Sequence, residues 1–286
     1  MAAQKTVLDI LQSTTAYFEK HGVESARLNA QHLVAHVLKL KRIELYMDSE
    51  RTLFEDELAP LRDLVKRRKD GVPLQHLLGT EEFYGRTFKS DSRGLVPRPE
   101  TERLIELVLP LLKEKTAPRI VDVGTGSGII ALTLASEISD ADVVAVDISP
   151  DALALAAENA ALLEISSRVA FVSGNLLADV AGHFDLIIAN LPYIPAGDIS
   201  ALAREVQHDP VLALDGGADG LDLIRRLIGQ AFSHLSSNGF IALEIGHDQS
   251  ERVADLLRAA NFRDIRVEKD YQGVPRFLIG GNAASL

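Results

Sequence analysis

The chain has 286 residues, 47% of them hydrophobic and 25% charged, with a formal net charge of −11 and no cysteine. That is enough for one large or two ordinary soluble domains, and it excludes disulfides, thiol nucleophiles and Cys-ligated metals. The acidic balance argues against broad binding to nucleic-acid backbones, and with no apolar stretch near roughly 18 residues and no secretory pattern over Met1–Asp9, a cytoplasmic protein without a membrane partner is expected.

Val7, Leu8, Leu11, Ala16 and Phe18 predict a first helix, ended by Gly22. A second is expected from Ser25 to Leu40, with Leu28, His32, Ala35 and Leu38 sharing a face. His32 and His36 stand four apart on it but lack a third ligand, so they read as helix-surface residues and no metal site is expected. Glu55 to Lys69 predicts a third helix with Leu58, Leu61, Leu64 and Val65 as its stripe, stopped by Asp70-Gly71. Lys66-Arg67-Arg68-Lys69 reads as its solvated, dipole-compensating end. Residues 1–71 therefore form a small helical domain with no catalytic constellation, a binding module or a cap.

Residues 72–100 change character. Phe83-Tyr84-Gly85-Arg86-Thr87-Phe88-Lys89 predicts a hairpin. Pro97 and Pro99 keep the next stretch out of a helix, and Pro99 then starts one over Glu100 to Leu112. Taken alone, Arg98 and Glu100 make a linker ion pair of little energetic value.

From Ala117 onward strands and helices alternate. Strands are expected at Arg119–Val123, Val143–Asp147, Arg168–Val172, Phe184–Ala189 and Phe240–Ile245. Helices are expected at Ile129–Ile138, Asp151–Leu163, Asp219–Leu235 and Asp248–Ala260. Arg263–Glu268 and Arg276–Ile279 follow without a helix between them and should pair antiparallel. This alternation predicts an α/β fold with a mostly parallel sheet and helices on both faces.

Two places on that sheet carry chemistry. Asp122-Val123-Gly124-Thr125-Gly126-Ser127-Gly128 links the first strand to its helix, where glycines allow close ligand approach and helix N–H groups point outward. A dinucleotide fingerprint would need glycine at position 129, which is Ile, and no Lys-Ser/Thr follows to make a P-loop. Asp147 ends the second strand, where a carboxylate can accept both hydroxyls of a ribose. Asn190-Leu191-Pro192-Tyr193 follows the fourth strand, Phe184 to Ala189. Pro192 stiffens the turn and keeps Leu191 extended. The Asn190 side-chain oxygen and the Leu191 carbonyl then stand as two acceptors able to take both protons of a planar NH₂ group, with Tyr193 to cover its flat face. The glycine loop, Asp147 and Asn-x-Pro-Tyr together match the S-adenosyl-L-methionine site of Rossmann-like methyltransferases.

The whole chain resembles the protein-(glutamine-N5) methyltransferases that modify bacterial peptide chain release factors. The likeness covers the helical N-terminal domain, Phe83-Tyr84-Gly85, Pro97-Arg98-Pro99-Glu100-Thr101-Glu102, the glycine loop and Asn190-Leu191-Pro192-Tyr193. It also covers Gly216-Gly217-Ala218-Asp219-Gly220-Leu221, Glu244-Ile245-Gly246 with Gln249, and Asp270-x-x-Gly273-x-x-Arg276. It implies a class I methyltransferase domain over 101–286, with a seven-stranded, mostly parallel sheet ending in an antiparallel hairpin. Residues 72–100 would be a linker with the hairpin, and 1–71 a substrate-docking domain.

The implied reaction is in-line methyl transfer from S-adenosyl-L-methionine to a glutamine side chain in the release factor's Gly-Gly-Gln loop. In that picture Asn190 and Leu191 hold the amide, and Pro192 and Tyr193 wall the pocket. Asp122, Gly124, Thr125, Gly126, Ser127, Gly128, Asp147, Asn175, Leu176 and Asn190 bind the cofactor, and Arg98, Pro99, Glu100 and Thr101 close over the site. Two departures from the family pattern stand out: Leu191 replaces a second proline, and Asn175-Leu176 replaces an acid followed by an aromatic. The alternatives are a glutamine methyltransferase acting on a ribosomal protein and an adenine-N6 methyltransferase acting on RNA or DNA. No direct nucleic-acid substrate is expected, because a basic, aromatic-rich recognition domain is missing.

Overall fold

The computed structural model describes residues 5–282. They divide into two compact units: one runs to Thr80 and takes in Ala203–His208, and the other holds Glu81–Leu202 and the chain from Asp209 onward.

The first unit is helical: α1 (Val7–Lys20), α2 (Ala26–Leu38), α3 (Glu44–Met47), α4 (Glu55–Lys69) and α5 (Leu74–Leu78). Helix α1 starts with a capping box, in which Asp9 N donates to Thr6 Oγ1 at 3.2 Å and Thr6 N donates to Asp9 Oδ2 at 2.9 Å. Its core gathers Phe18 from α1, Leu33 and Val34 from α2, Leu61 from α4 and Leu77 from α5. The expected face of α2 is right only in part: Ala35 is buried and Leu38 packs on the core, but Leu28 is exposed, and the rest of the buried face is Ala26, Asn29, Ala30, Leu33 and Val34. The orientation follows from Arg68, which is buried rather than solvated. Its Nε donates to Asn29 Oδ1 at 2.6 Å, its Nη1 to the Val72 carbonyl at 3.2 Å, and its Nη2 pairs with Glu205. A buried guanidinium needs such partners, so Asn29 has to face inward.

Next comes a hairpin of β1 (Thr80–Phe83) and β2 (Arg86–Lys89), turning on Tyr84-Gly85 at φ 49° and 70°. Positive φ at both central residues is the turn whose twist suits a two-residue hairpin loop.

The second unit continues with α6 (Glu100–Leu112), β3 (Arg119–Val123), α7 (Ile129–Glu137), β4 (Asp142–Asp147), α8 (Pro150–Leu162), β5 (Val169–Ser173) and β6 (Phe184–Asn190). It ends with α9 (Asp222–Ala231), β7 (Leu235–Glu244), α10 (Ser250–Ala259), β8 (Arg263–Lys269) and β9 (Pro275–Gly281). The strands lie in the order β5-β4-β3-β6-β7-β9-β8. The pairs from β5 through β7 are parallel, and β9 runs antiparallel to both β7 and β8. The expected seven-stranded sheet with its terminal hairpin is therefore present. Leu104, Ile105, Val108, Leu132 and Leu134 fill one of its two core layers, and Ile224, Leu227, Val253 and Leu257 help fill the other. Strand β8 is the outer edge and carries Arg263, Asp264, Arg266, Glu268 and Lys269.

One expected element is too long. The helix assigned to Asp219–Leu235 begins only at Asp222, because Asp219 accepts from Leu221 N at 3.2 Å and Gly220 sits at φ 76°. Leu235 belongs to β7, where it pairs with Phe184 before a register shift. Strand order reverses between β3 and β6, and α/β sheets bind ligands at the carboxyl ends beside such a reversal. Asp122, Asp147 and Asn190 all lie at those ends. Among the described residues no helix is long and apolar enough to cross a membrane.

Candidate active site

A cleft of about 340 Å³ opens at the carboxyl ends of β3, β4 and β6. It is lined by Gly124, Thr125, Gly126 and Ser127 from the glycine loop, by Asp147, by Asn175-Leu176, and by Asn190, Leu191 and Pro192. Pro97, Arg98 and Thr101 line it too. Asp122, Gly128, Pro99, Glu100 and Tyr193 are not among its lining residues.

Asp122 lies beneath the glycine loop and has no exposed surface. Its Oδ2 accepts from Thr125 Oγ1 at 2.6 Å and from Ala131 N at 3.1 Å, while Oδ1 has no partner among the described residues. Burial pushes its carboxyl up to about 7, and the nearby Asp147 adds to the rise. Asp122 thus fixes the loop from below.

Most N–H groups of the glycine loop itself are taken, while those of Ile129 and Ile130, which open α7 and line the cleft, carry no bond among the described residues. Gly124 N and Thr125 N donate to the Val146 carbonyl at 2.8 and 2.9 Å, and Gly128 N donates to the Thr125 carbonyl at 2.8 Å. Gly126 N donates to Asp147 Oδ2 at 2.9 Å. What the glycines supply is close approach: a methyl group on Gly124 would come within 2.8 Å of Leu191 Cδ2. Asp147 Oδ1 accepts from Ser149 N at 2.9 Å. Each carboxylate oxygen has two acceptor positions, so Asp147 keeps capacity for a diol.

At Asn175-Leu176 the acceptor oxygen already takes one bond. Arg226 Nη2 donates to Asn175 Oδ1 at 2.9 Å, and Arg226 itself lines the cleft. Leu176 is buried with φ 58° and belongs to the core. Apolar wall comes from Ile148 and Leu223, neither of which the sequence singled out.

The Asn190 corner is held from several sides. Asn190 Nδ2 donates to Thr101 Oγ1 at 3.4 Å, and Thr101 Oγ1 donates to Glu244 Oε2 at 2.8 Å. Glu244 is buried, and burial pushes its carboxyl up to about 7. Tyr193 is half-buried beside the Glu244, Arg276, Arg98 and Glu100 charges, and burial raises its hydroxyl to about 12. Its carbonyl accepts from Gln249 Nε2 at 2.9 Å. A methyl group on Gly220 would stand 2.3 Å from that same carbonyl, and one on Gly216 would stand 2.8 Å from the Pro192 carbonyl. The Gly-Gly-Ala-Asp-Gly and Glu-Ile-Gly stretches therefore clamp the backbone of the corner. Asp270 accepts from Gln272 N and Val274 N at 2.9 Å and from Arg276 Nε at 2.7 Å, which orders the turn that carries Arg276.

Arg98 does not pair with Glu100. Its Nη2 donates at 3.0 Å to Asp209 Oδ2, whose side chain is fully buried. Sequence reading missed Asp209, and it gave Glu244 only as part of the matching Glu-Ile-Gly stretch, without a role. An acid inside the apolar run Phe240–Ile245 was a readable sign for Glu244, whereas nothing in the sequence around Asp209 marks it.

Residues 9–79 match the family described as PrmC N-terminal domain, and residues 102–209 match Methyltransferase small domain. The release factor glutamine methyltransferase of Deinococcus radiodurans is 43% identical over 270 residues, covering 94% of this chain and 96% of that protein. The enzyme of the same name from Geobacter sulfurreducens is 39% identical, covering 96% of each. A solved methyltransferase from Pyrococcus furiosus is 19% identical with a TM-score of 0.52, covering 80% of this chain and all of that one, a likeness that bears on fold alone. With the helical unit, the sheet and the Asn190 corner all inside near-full-length matches of this strength, the chain belongs to the release factor glutamine methyltransferase family.

Proposed function

We propose that the chain transfers a methyl group from S-adenosyl-L-methionine to the side-chain nitrogen of a glutamine in the Gly-Gly-Gln loop of a peptide chain release factor. The observation that carries this reading is Asn190, whose side-chain amide lines the cleft beside the glycine loop and Asp147, with its NH₂ end turned toward Thr101.

The cleft suits the cofactor. Asp147 has acceptor capacity for a ribose diol, the glycine loop leaves room for close approach, and Ile148, Leu176 and Leu223 give apolar wall for a flat base. When bound, that molecule supplies a sulfonium methyl group and a good leaving group. The protein's part is positioning, worth roughly 7–11 kcal/mol in well-oriented cases. Asn190 Oδ1 and the Leu191 carbonyl would each accept one proton of the glutamine NH₂, which aims its nitrogen. Leu191 in place of a second proline leaves that carbonyl in place. Its side chain is instead 96% buried, in the core under the loop.

Among its described residues the helical unit has no catalytic constellation of its own, and we assign it the docking of the protein substrate. Full-length release factor, a large-subunit ribosomal protein and RNA, each offered with methyl-labelled cofactor, test the reading. Label on the release factor glutamine alone supports it. Label on the ribosomal protein or on adenine would replace it. Removing residues 1–80 should leave cofactor affinity unchanged and sharply reduce methylation of the full-length factor, because remote binding energy orients a flexible loop. Undiminished methylation by a folded truncated form would remove the docking role.

A further inference from the structure

An asparagine amide has two nearly isosteric ends, and only one of them suits the proposed reaction. Oxygen toward the cleft accepts from a glutamine NH₂, whereas NH₂ toward the cleft would repel it. What surrounds Asn190 therefore decides its usefulness. We infer that Glu244 is the positioning residue that sets this polarity, acting through the Thr101 hydroxyl to hold the Asn190 NH₂ inward and its oxygen toward the substrate. The inference rests on the methyl-transfer reading of the same cleft.

Three strictly placed groups carry it. Asn190 and Glu244 are register partners on adjacent parallel strands β6 and β7, so their side chains share one face of the sheet. Thr101, in the first turn of α6, is fully buried above them. A hydroxyl has one proton to give. Thr101 gives it to Glu244 at 2.8 Å, which leaves only its lone pairs for Asn190 at 3.4 Å. Those lone pairs can accept from an NH₂ and cannot donate to a carbonyl. Asn190 also lies close enough to Glu244 to favour its ionised form. An ionised carboxylate, being acceptor-only, thus propagates acceptor character through the threonine and leaves Asn190 one stable orientation.

Protonation would undo this. A protonated Glu244 can donate to Thr101, whose own proton is then free to seek an acceptor, and the nearest is Asn190 Oδ1. The amide would turn over and present NH₂ to the cleft. The groups facing Glu244 set where this happens. Burial raises its carboxyl to about 7, Thr101 and Arg276 oppose the rise, Glu100 adds to it, and Asn190 opposes it. Arg276 comes from β9, Glu100 from the start of α6, and the Tyr193 hydroxyl from the corner after β6. Ionised Glu244 is the productive form, so turnover should rise with pH through about 7.

The test uses the full-length protein, full-length release factor and labelled S-adenosyl-L-methionine, with kcat, KM and cofactor dissociation constant measured from pH 5.5 to 9. The wild-type kcat should fall toward tenfold per pH unit on the acid side. E244Q should lose roughly 10- to 100-fold in kcat, of the size expected for a misoriented reacting group, with KM and cofactor affinity near wild type and the acid limb gone. T101V should lose both rate and acid limb, and T101S should restore the limb. A wild type that methylates glutamine with a flat profile, or an E244Q form that keeps wild-type rate, overturns the inference while the methyl-transfer reading stands. An acid limb that survives in E244Q assigns the titration elsewhere and overturns it too. Failure of every form to methylate glutamine would strike the reading of the cleft instead.

Discussion

The two ends of the cleft each rest on a buried carboxyl group, and the two groups do opposite work. Asp122, under the glycine loop, accepts from a hydroxyl and a backbone N–H and touches nothing that must choose an orientation. Glu244, under the Asn190 corner, accepts from a hydroxyl that in turn faces an amide with two possible settings. Both carboxyls are raised to about 7 by burial. Burial of a carboxyl has therefore produced a brace at one end and a selector at the other. What differs is whether the next group along has a degree of freedom left.

The sharpest way to break this division is Asn190→Ala. By analogy with loss of one preorganised polar group, kcat should fall by ~10²–10³ while calorimetric titration finds cofactor affinity intact. A variant that also loses cofactor affinity would mean the two ends are not separate.

Next is stability against pH. Both carboxyls have folded values near 7, above their ordinary 3.8 and 4.5. A raised value means that the folded state holds its proton more tightly. The stabilisation is therefore complete below the ordinary value and is lost as pH rises through about 7. For Glu244 the ceiling is about 3 kcal/mol at ~1.4 kcal/mol per pKa unit. Urea midpoints should decline from pH 5 to 8 in the wild type, and Asp122→Asn and Glu244→Gln should each flatten the decline. If only Glu244→Gln also alters kcat, the contrast is sharpened. The pH that best suits turnover is then the one at which this corner stabilises the fold least.

Asp147→Ala should weaken cofactor binding by roughly 10- to 100-fold, the scale of hydrogen bonds to a charged group, with little change in the rate at saturation. An unchanged dissociation constant would make Asp147 a partner of Gly126 N and Ser149 N only. The smallest effect is expected from Asn175→Ala, roughly a few-fold in cofactor affinity, because Arg226 already takes one of its oxygen's acceptor positions. A loss as large as that of Asp147→Ala would mean that the remaining position is a main anchor of the cofactor.

The fold was legible from periodicity, since buried parallel strands such as Ile120–Val123 and Leu186–Ala189 appear as apolar runs between turn residues. Helix faces were less so. The stripe read on α2 ignored that a buried Arg68 would draw Asn29 inward, a long-range polar demand that local spacing does not encode. The cleft itself was largely readable from the glycine loop, Asp147 and Asn190. Its supports were less so: Thr101 was read as part of a closing segment and Glu244 only as part of a matching motif, while Asp209 and Arg226 come from stretches that carried no signal. Glycines 216 and 220 could be seen in the sequence as a cluster, but not as the surface against which Pro192 and Tyr193 pack.

The sheet ends on β8, an open edge whose residues include Arg263, Asp264, Arg266, Glu268 and Lys269. A strand arriving from another molecule would have to lie against that row of charges, and alternating charge on an edge is how sheets discourage such additions. The opposite edge, β5, reads Val169-Ala170-Phe171-Val172-Ser173 and has no charge at all. Self-association through strand addition, in refolding or at high concentration, should therefore begin at β5. A charge placed at Ala170, which is exposed, is the simplest way to suppress it.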